Sequence, residues 1–224
     1  MAGFTVMNVN FCLHDYNAQY VRDSAEFMKT KILETQPDLI FIQGIQTQQQ
    51  IQELDSILQE KKVHYSYYSR LTKRGFAAVM AKTTTFKLEI LNRDYLNQGP
   101  PEYRRSLFNG LACVKLTEKT TNNSVYAGSW QCNTPPRQSR KSDEALLLTK
   151  SMKIISKNSL WLIGGCFLDS NANVENRFLV GVNYHQQQLA TKKRLSVENV
   201  LSCKDTVIDH FPIMAYVKWK ELQQ

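Results

Sequence analysis

Apolar and polar positions along this chain follow two alternating periods. Phe4 to Val9 is β-rich and reads as an early strand. Over 16–33, Tyr20, Ser24, Phe27, Met28, Lys31 and Ile32 recur at helical spacing. Pro37 stops that helix, and Asp38 to Gln43 is a short apolar run of the buried-strand type. Ile51, Leu54, Ile57 and Leu58 mark a second amphipathic helix with a Gln-rich outer face. His64–Ser69, Phe76–Lys82, Phe86–Leu91, Gly110–Leu116 and Val125–Trp130 read as strands between polar or Gly/Pro turns. Ser142 is placed to cap a third helix, with Asp143 and Glu144 in its first turn and Leu148, Met152 and Ile155 on its apolar face. Leu160–Gly164 and Phe211–Trp219 supply two further strands. Helices after the first, second and middle strands predict two packed sheets with helices outside, an α/β or α+β layering. No repeat, long linker or charge block divides the chain, so residues 1–224 are expected to form a single domain.

Composition narrows the class. Hydrophobic residues make up 42 %, enough for a sizeable core. Lys plus Arg outnumber Asp plus Glu by 28 to 20, a net charge of +8. That balance suits phosphate-bearing or acidic partners, and it serves simple solubility equally well. The five cysteines, Cys12, Cys113, Cys132, Cys166 and Cys203, are odd in number and widely spaced. Without a Cys-x-x-Cys pair a zinc site is not expected, and the reading is a reduced intracellular compartment, nucleus or cytoplasm. The first residues lack the basic and apolar segments of a signal peptide, and no apolar run reaches the length of a membrane span.

Two basic stretches are candidate nucleic-acid contacts. Arg137, Arg140 and Lys141 lie in a loop leading into the third helix, where cations suit a phosphate; an ordinary solvated loop explains them as well. Arg70, Lys73 and Arg74 follow a Tyr-rich run, His64 to Ser69. Aromatics interleaved with cations suit base stacking, although a plain edge strand with a basic turn is the favoured reading.

Five short segments then match, in order, the motif series of a known superfamily. Val6-Met7-Asn8-Val9 fits an apolar strand ending in Asn. Pro37-Asp38-Leu39-Ile40-Phe41-Ile42-Gln43-Gly44 fits a Pro-Asp-apolar-Gln-Glu motif, with Gly44 in place of the Glu. Val125 to Trp130 fits a strand ending in Thr-His-Leu, with Trp130 at the His. Leu162 to Leu168 fits an apolar-Gly-Asp-Phe-Asn motif, with Cys166 at the Asp and Leu168 at the Asn. Ile208-Asp209-His210-Phe211-Pro212 fits Ser-Asp-His-x-Pro, with Ile208 at the Ser. A softer match, Val197 to Leu201, sets Glu198 where the family often has an Asp that pairs with the terminal His. On these residues the chain resembles the endonuclease/exonuclease/phosphatase superfamily, in a degenerate form. The resemblance implies a deoxyribonuclease-I-like, four-layer αββα sandwich.

The same resemblance implies magnesium-dependent hydrolysis of phosphodiesters or phosphomonoesters, and the substitutions fall on that chemistry. Magnesium takes hard oxygen ligands, and Gly44 has none to offer. A neutral thiol at Cys166 is a poor base, with a free pKa near ~8.5. Leu168 makes no hydrogen bond, and Trp130 offers one donor only. Loss of a single general base typically costs ~10²–10⁴-fold in rate. Asn8, Asp209 and His210 remain, with Glu198 as a longer stand-in, so the imidazole–carboxylate side survives; a satisfied structural pair explains it more simply than a phosphate site. Trp130, Cys166 and Leu168 are expected to pack together and close the old pocket. The expected protein is a catalytically inactive, phosphodiesterase-like module that binds a protein partner, with DNA or RNA as a further candidate, no membrane, and no metal or other cofactor. The alternative is a metal-dependent phosphodiesterase with a rearranged site, in which Asp169, Glu175 or Glu198 supplies the oxygens for magnesium. Only 41 positions separate Leu168 from Asp209, a short stretch for substrate-gripping insertions.

Overall fold

A computed structural model describes residues 3–11, 18–72, 75–98, 101, 104–131, 142–157, 159–168, 174–181, 193–202 and 212–221. The elements run β1 (Gly3–Asn10), α1 (Ala18–Thr35), β2 (Leu39–Ile45), α2 (Gln48–Glu60), β3 (Tyr65–Thr72), β4 (Gly75–Lys82) and β5 (Phe86–Ile90). A 3₁₀ helix (Arg93–Gln98) and a short α3 (Arg104–Gly110) lead into β6 (Leu111–Glu118) and β7 (Ser124–Trp130). Then follow α4 (Ser142–Ile155), β8 (Trp161–Leu168), β9 (Val174–Gly181), β10 (Lys193–Ser202) and β11 (Ile213–Glu221).

Two mixed sheets result. One has the order β10-β11-β1-β2-β4-β3 and the other β5-β6-β7-β8-β9. Each is antiparallel except for one parallel pair, β1 with β2 and β7 with β8. Each parallel pair is bridged by a helix, α1 or α4, because a parallel return needs a long crossover. Strand alternation sorts the side chains into three apolar layers. Phe4, Val6, Leu39, Phe41, Val114, Val125, Ala127 and Leu162 meet between the sheets. Met7, Val9, Ile40 and Ile42 point the other way, onto Met28 and Ile32 of α1 and Ile51, Leu54 and Leu58 of α2. Cys113, Trp130, Trp161 and Ile163 cover the outer side of the second sheet beneath Leu148, Met152 and Ile155 of α4. This is the αββα sandwich that the motif series implies.

Two local features tie the sheets together. Asp38, just before β2, accepts hydrogen bonds from the Thr5 amide (2.9 Å), the Thr5 hydroxyl (2.9 Å) and the Thr85 hydroxyl (2.7 Å). It thereby joins β1 to the turn between β4 and β5. On β8, Gly164 lies directly under the Phe41 ring of β2. A Cβ there would sit 2.3 Å from one ring carbon and 2.7 Å from Phe41 Cβ, so only glycine allows the sheets this approach.

The structure differs from the pattern reading in what it adds. The strands β9 and β10, the 3₁₀ helix and α3 were not anticipated. α2 starts at a capping box, in which the Thr47 hydroxyl accepts from the Gln50 amide while the Gln50 side chain accepts from the Thr47 amide.

Candidate functional site

Among the described residues, a group of buried polar side chains gathers where β1, β2 and β7 end. Asn8 and Asn10 of β1, Gln43 of β2, Ser129 of β7 and Gln131 just beyond it are all buried polar residues. Strand period explains the grouping: Asn8 follows Phe4 and Val6 on the inward face, and Gln43 follows Leu39 and Phe41. Asn10 and Gln43 are register partners in the parallel pair.

Within this group Asn8, Gln43 and Ser129 form one network across the sandwich. Gln43 Nε2 donates to Asn8 Oδ1 (2.8 Å) and to Ser129 Oγ (2.9 Å). Asn8 Nδ2 donates to the Gly165 carbonyl of β8 (2.9 Å), and Ser129 Oγ donates to the Ile42 carbonyl (2.7 Å). Both polar atoms of the Asn8 amide are therefore engaged by protein. Gln43 Oε1 is buried without a hydrogen-bond partner. The pattern reading had Gln43 only as a motif letter; its position at the centre of this network was not seen.

Gly44 follows at once, and it is more than a missing side chain. The β2–β4 register shifts between Ile42 and Ile45, where three residues of β2 span two of β4. This is a β-bulge, and Gly44 occupies it at φ +76°, in the left-handed region that glycine tolerates best. The extra residue reverses the alternation, so Ile45 joins the α1/α2 side rather than the inter-sheet face. The backbone at Gly75 (φ +106°) presses against the same spot; a Cβ on it would lie 2.5 Å from the Ile45 carbonyl oxygen.

Trp130 takes a place different from the expected one. Its indole is 1 % exposed and packs with Tyr95, Leu107, Leu111, Leu148 and Met152 in the outer layer under α4. Ser129 of the same strand faces the other way, so Trp130 belongs to the helix side of its sheet and does not close the space beside Asn8 and Gln43. Cys166 and Leu168 are in β8, in register with Asn176 and Val174 of β9. Glu198 sits in β10 opposite Tyr216, beside a bulge that ends at Leu201. Its carboxylate pairs with Lys218 at 2.5 Å and accepts from the Ser196 hydroxyl at 3.2 Å. The hydrogen bond and charge of Glu198 raise the Lys218 pKa above its ordinary value. Asp209, His210 and Asp169 lie outside the described residues, as do Lys73, Arg74, Arg137, Arg140 and Lys141.

Of the basic candidates, Arg70 is described. It is half-buried on β3, an edge strand, and donates from Nη1 to the Leu111 carbonyl at 3.3 Å. The neighbouring tyrosines are drawn into packing. Tyr65 is buried with its hydroxyl on the Pro37 carbonyl (2.6 Å), Tyr67 lies against the α1/α2 layer, and Tyr68 against the inter-sheet core.

The described polar group at the strand ends offers no carboxylate to a magnesium ion. Its described members are amides and a hydroxyl, none ionisable, and the Asn8 amide is already occupied. Among the described residues no three His, Cys, Asp or Glu side chains gather closely enough to hold a metal. Nor, among them, is any helix long and apolar enough to cross a membrane.

No protein-family model and no curated protein matches the sequence. Solved structures do match in fold. An endonuclease/exonuclease/phosphatase protein from Bacteroides vulgatus is 12 % identical, with 98 % of this chain and 100 % of that one covered at a TM-score of 0.65. The human Nocturnin catalytic domain with bound sulfate anion is 12 % identical over 97 % and 94 %, at 0.60. TDP2 from D. rerio, complexed with single-strand DNA product, is 10 % identical over 97 % and 100 %, at 0.58. The chain thus has the fold of endonuclease/exonuclease/phosphatase structures along nearly its whole length.

Proposed function

We propose that this chain is a deoxyribonuclease-I-like domain that does not carry out metal-assisted phosphodiester hydrolysis, and that it works as an interaction module for a protein partner. The observation that carries the reading is Gly44. Where the motif needs a metal carboxylate, the chain has a residue without a side chain, in a bulge at φ +76°. The network beside it supports the same reading, since both polar atoms of Asn8 are engaged by protein, one with Gln43 of its own sheet and one with the Gly165 carbonyl of the other. A rearranged metal site built on Glu198 is disfavoured by the Lys218 ammonium that the carboxylate already pairs with.

The test is product formation from single-stranded DNA, duplex DNA, RNA and bis(p-nitrophenyl) phosphate, with magnesium or manganese added. The expected yield equals that of metal without protein. Turnover that needs both the metal and the protein would overturn the proposal. The partner is to be identified by co-purification from the native cell and then confirmed by reconstitution with the purified component.

A further inference from the structure

α4 lies on the outer side of the second sheet, in a different layer from the Asn8–Gln43 network. Its inward face is apolar: Leu148 and Met152 are fully buried and Ile155 is 3 % exposed. Its outward face carries Lys150 and Lys153, and Lys157 follows in the turn just beyond the last residue. All three are exposed, and none forms an ion pair or side-chain hydrogen bond. Ile154 stands among them, 43 % exposed. At ~3.6 residues per turn, Lys150, Lys153 and Ile154 share an arc of roughly 100°, and Lys157 follows two residues after the helix ends, at φ 49°.

A helix C-terminus favours cations, which accounts for Lys153 and Lys157. It does not account for Lys150, which stands more than a turn inside α4, or for an exposed isoleucine between unpaired ammonium groups. Elsewhere among the described residues Lys31 pairs with Glu34, Lys115 with Glu89 and Lys218 with Glu198, while the exposed, unpaired Lys61, Lys87 and Lys119 are far apart in the chain rather than gathered within eight residues as Lys150, Lys153 and Lys157 are. The stripe on α4 is uncompensated charge on a chain whose net charge is +8.

We infer that the outward face of α4, with Lys150, Lys153 and Lys157 around Ile154, is a docking surface for the phosphate backbone of a nucleic acid. Charge complementarity argues for this occupant. Lysine is a flexible point charge that neutralises phosphates without reading bases, and no aromatic side chain on this face offers stacking. A lipid surface is a poorer fit, because a helix lying on a membrane inserts its apolar face, and that face of α4 is already committed to Trp130, Trp161 and Ile163.

Each neutralised phosphate contributes ~0.9 to the slope of log affinity against log salt on a duplex and ~0.7 on a single strand. Three contacts give a slope of about 2.7 on duplex DNA, or a loss of ~40-fold between 50 and 200 mM salt. The experiment is fluorescence anisotropy with the full chain, a labelled duplex DNA and a labelled single-stranded RNA, over that salt range. The test variant is Lys150→Gln/Lys153→Gln/Lys157→Gln. The charge-matched control is Lys61→Gln/Lys87→Gln/Lys119→Gln, three exposed lysines elsewhere in the chain. Circular dichroism and thermal melting confirm that both are folded. The stripe variant is expected to lose about 2–3 from the duplex slope and most of its low-salt affinity, and the control to lose much less. Equal losses in both variants, or no binding by the unaltered chain at low salt, would overturn the inference. So would a stripe-dependent affinity for anionic vesicles in the absence of nucleic-acid binding.

Discussion

Substituting Gly164 by alanine adds one methyl group to the tightest point between the sheets. Its Cβ would stand 2.3, 2.5 and 2.7 Å from three atoms of Phe41, and two of these, Cγ and Cβ, are at the root of the side chain. Phe41 is fully buried, with Leu39, Val79, Ala127 and Leu162 in the same core layer, so the ring has no open direction in which to turn. The sheets must separate locally or the ring must leave its rotamer. Overpacking of this kind costs about 1–3 kcal/mol. For a chain of this length that is a fall in melting temperature of roughly 2–12 °C. The assay is urea denaturation followed by circular dichroism, in a cycle with Phe41→Leu. Removing the ring makes room for the methyl, so Gly164→Ala in the Phe41→Leu background should cost less than in the parent. The expected coupling is about 1 kcal/mol or more, in the range measured for touching residues. If Gly164→Ala is as stable as the parent, or the two changes simply add, the close approach of β2 and β8 is wrong.

Three further outcomes follow from the same geometry. Asp38→Ala removes the acceptor of three hydrogen bonds from Thr5 and Thr85, and should lower stability by about 2–3 kcal/mol in denaturant titration, because bonds to a charged group outweigh neutral ones. Gly44→Ala should cost about 1–2 kcal/mol, since φ +76° puts a Cβ in the left-handed region, and Gly44→Asn should cost less. Burial raises the Cys113 thiol from an ordinary 9.0 to about 12. Peptide mapping after maleimide treatment at pH 8 should find Cys113 unlabelled in the folded protein. The unfolded thiol loses its proton first as pH rises, so the folded state binds more protons above pH 9. This contribution to stability is full below pH 9 and is lost between pH 9 and 12; denaturation midpoints should fall over that window, less steeply in Cys113→Ala.

Much of the fold was legible in the chain because its central strands are written in plain alternation. Phe4, Val6 and Asn8 against Met7 and Val9, and Leu39, Phe41 and Gln43 against Ile40 and Ile42, already separate the inward face from the helix-covered one. β9 and β10 were missed for physical reasons. Val174–Gly181 holds a polar run, Glu-Asn-Arg, that breaks the period. β10 is interrupted by a bulge with Asn199 at φ 51°, so its apolar residues do not keep one phase. The 3₁₀ helix and α3, at six and seven residues, are too short to show a helical period. At the site, Asn8 and Gly44 were visible as motif positions, but their setting was not. The Gln43 network depends on contacts to Ser129, 86 residues away in the chain, and no local pattern carries such a pairing. Trp130 illustrates the same limit: sequence position gave its strand, whereas its face follows from the register that turns Ser129 inward and the indole toward α4.

The most direct test of the central claim is a single-turnover experiment. The full chain, in large excess over end-labelled single-stranded DNA, duplex DNA or RNA, is incubated with magnesium or manganese beside the His210→Ala variant. If Gly44 and the Asn8–Gln43 network leave no place for the metal, labelled substrate persists, and the parent, the variant and the metal-only blank give the same trace. Metal-dependent cleavage by the parent that His210→Ala abolishes would contradict the account.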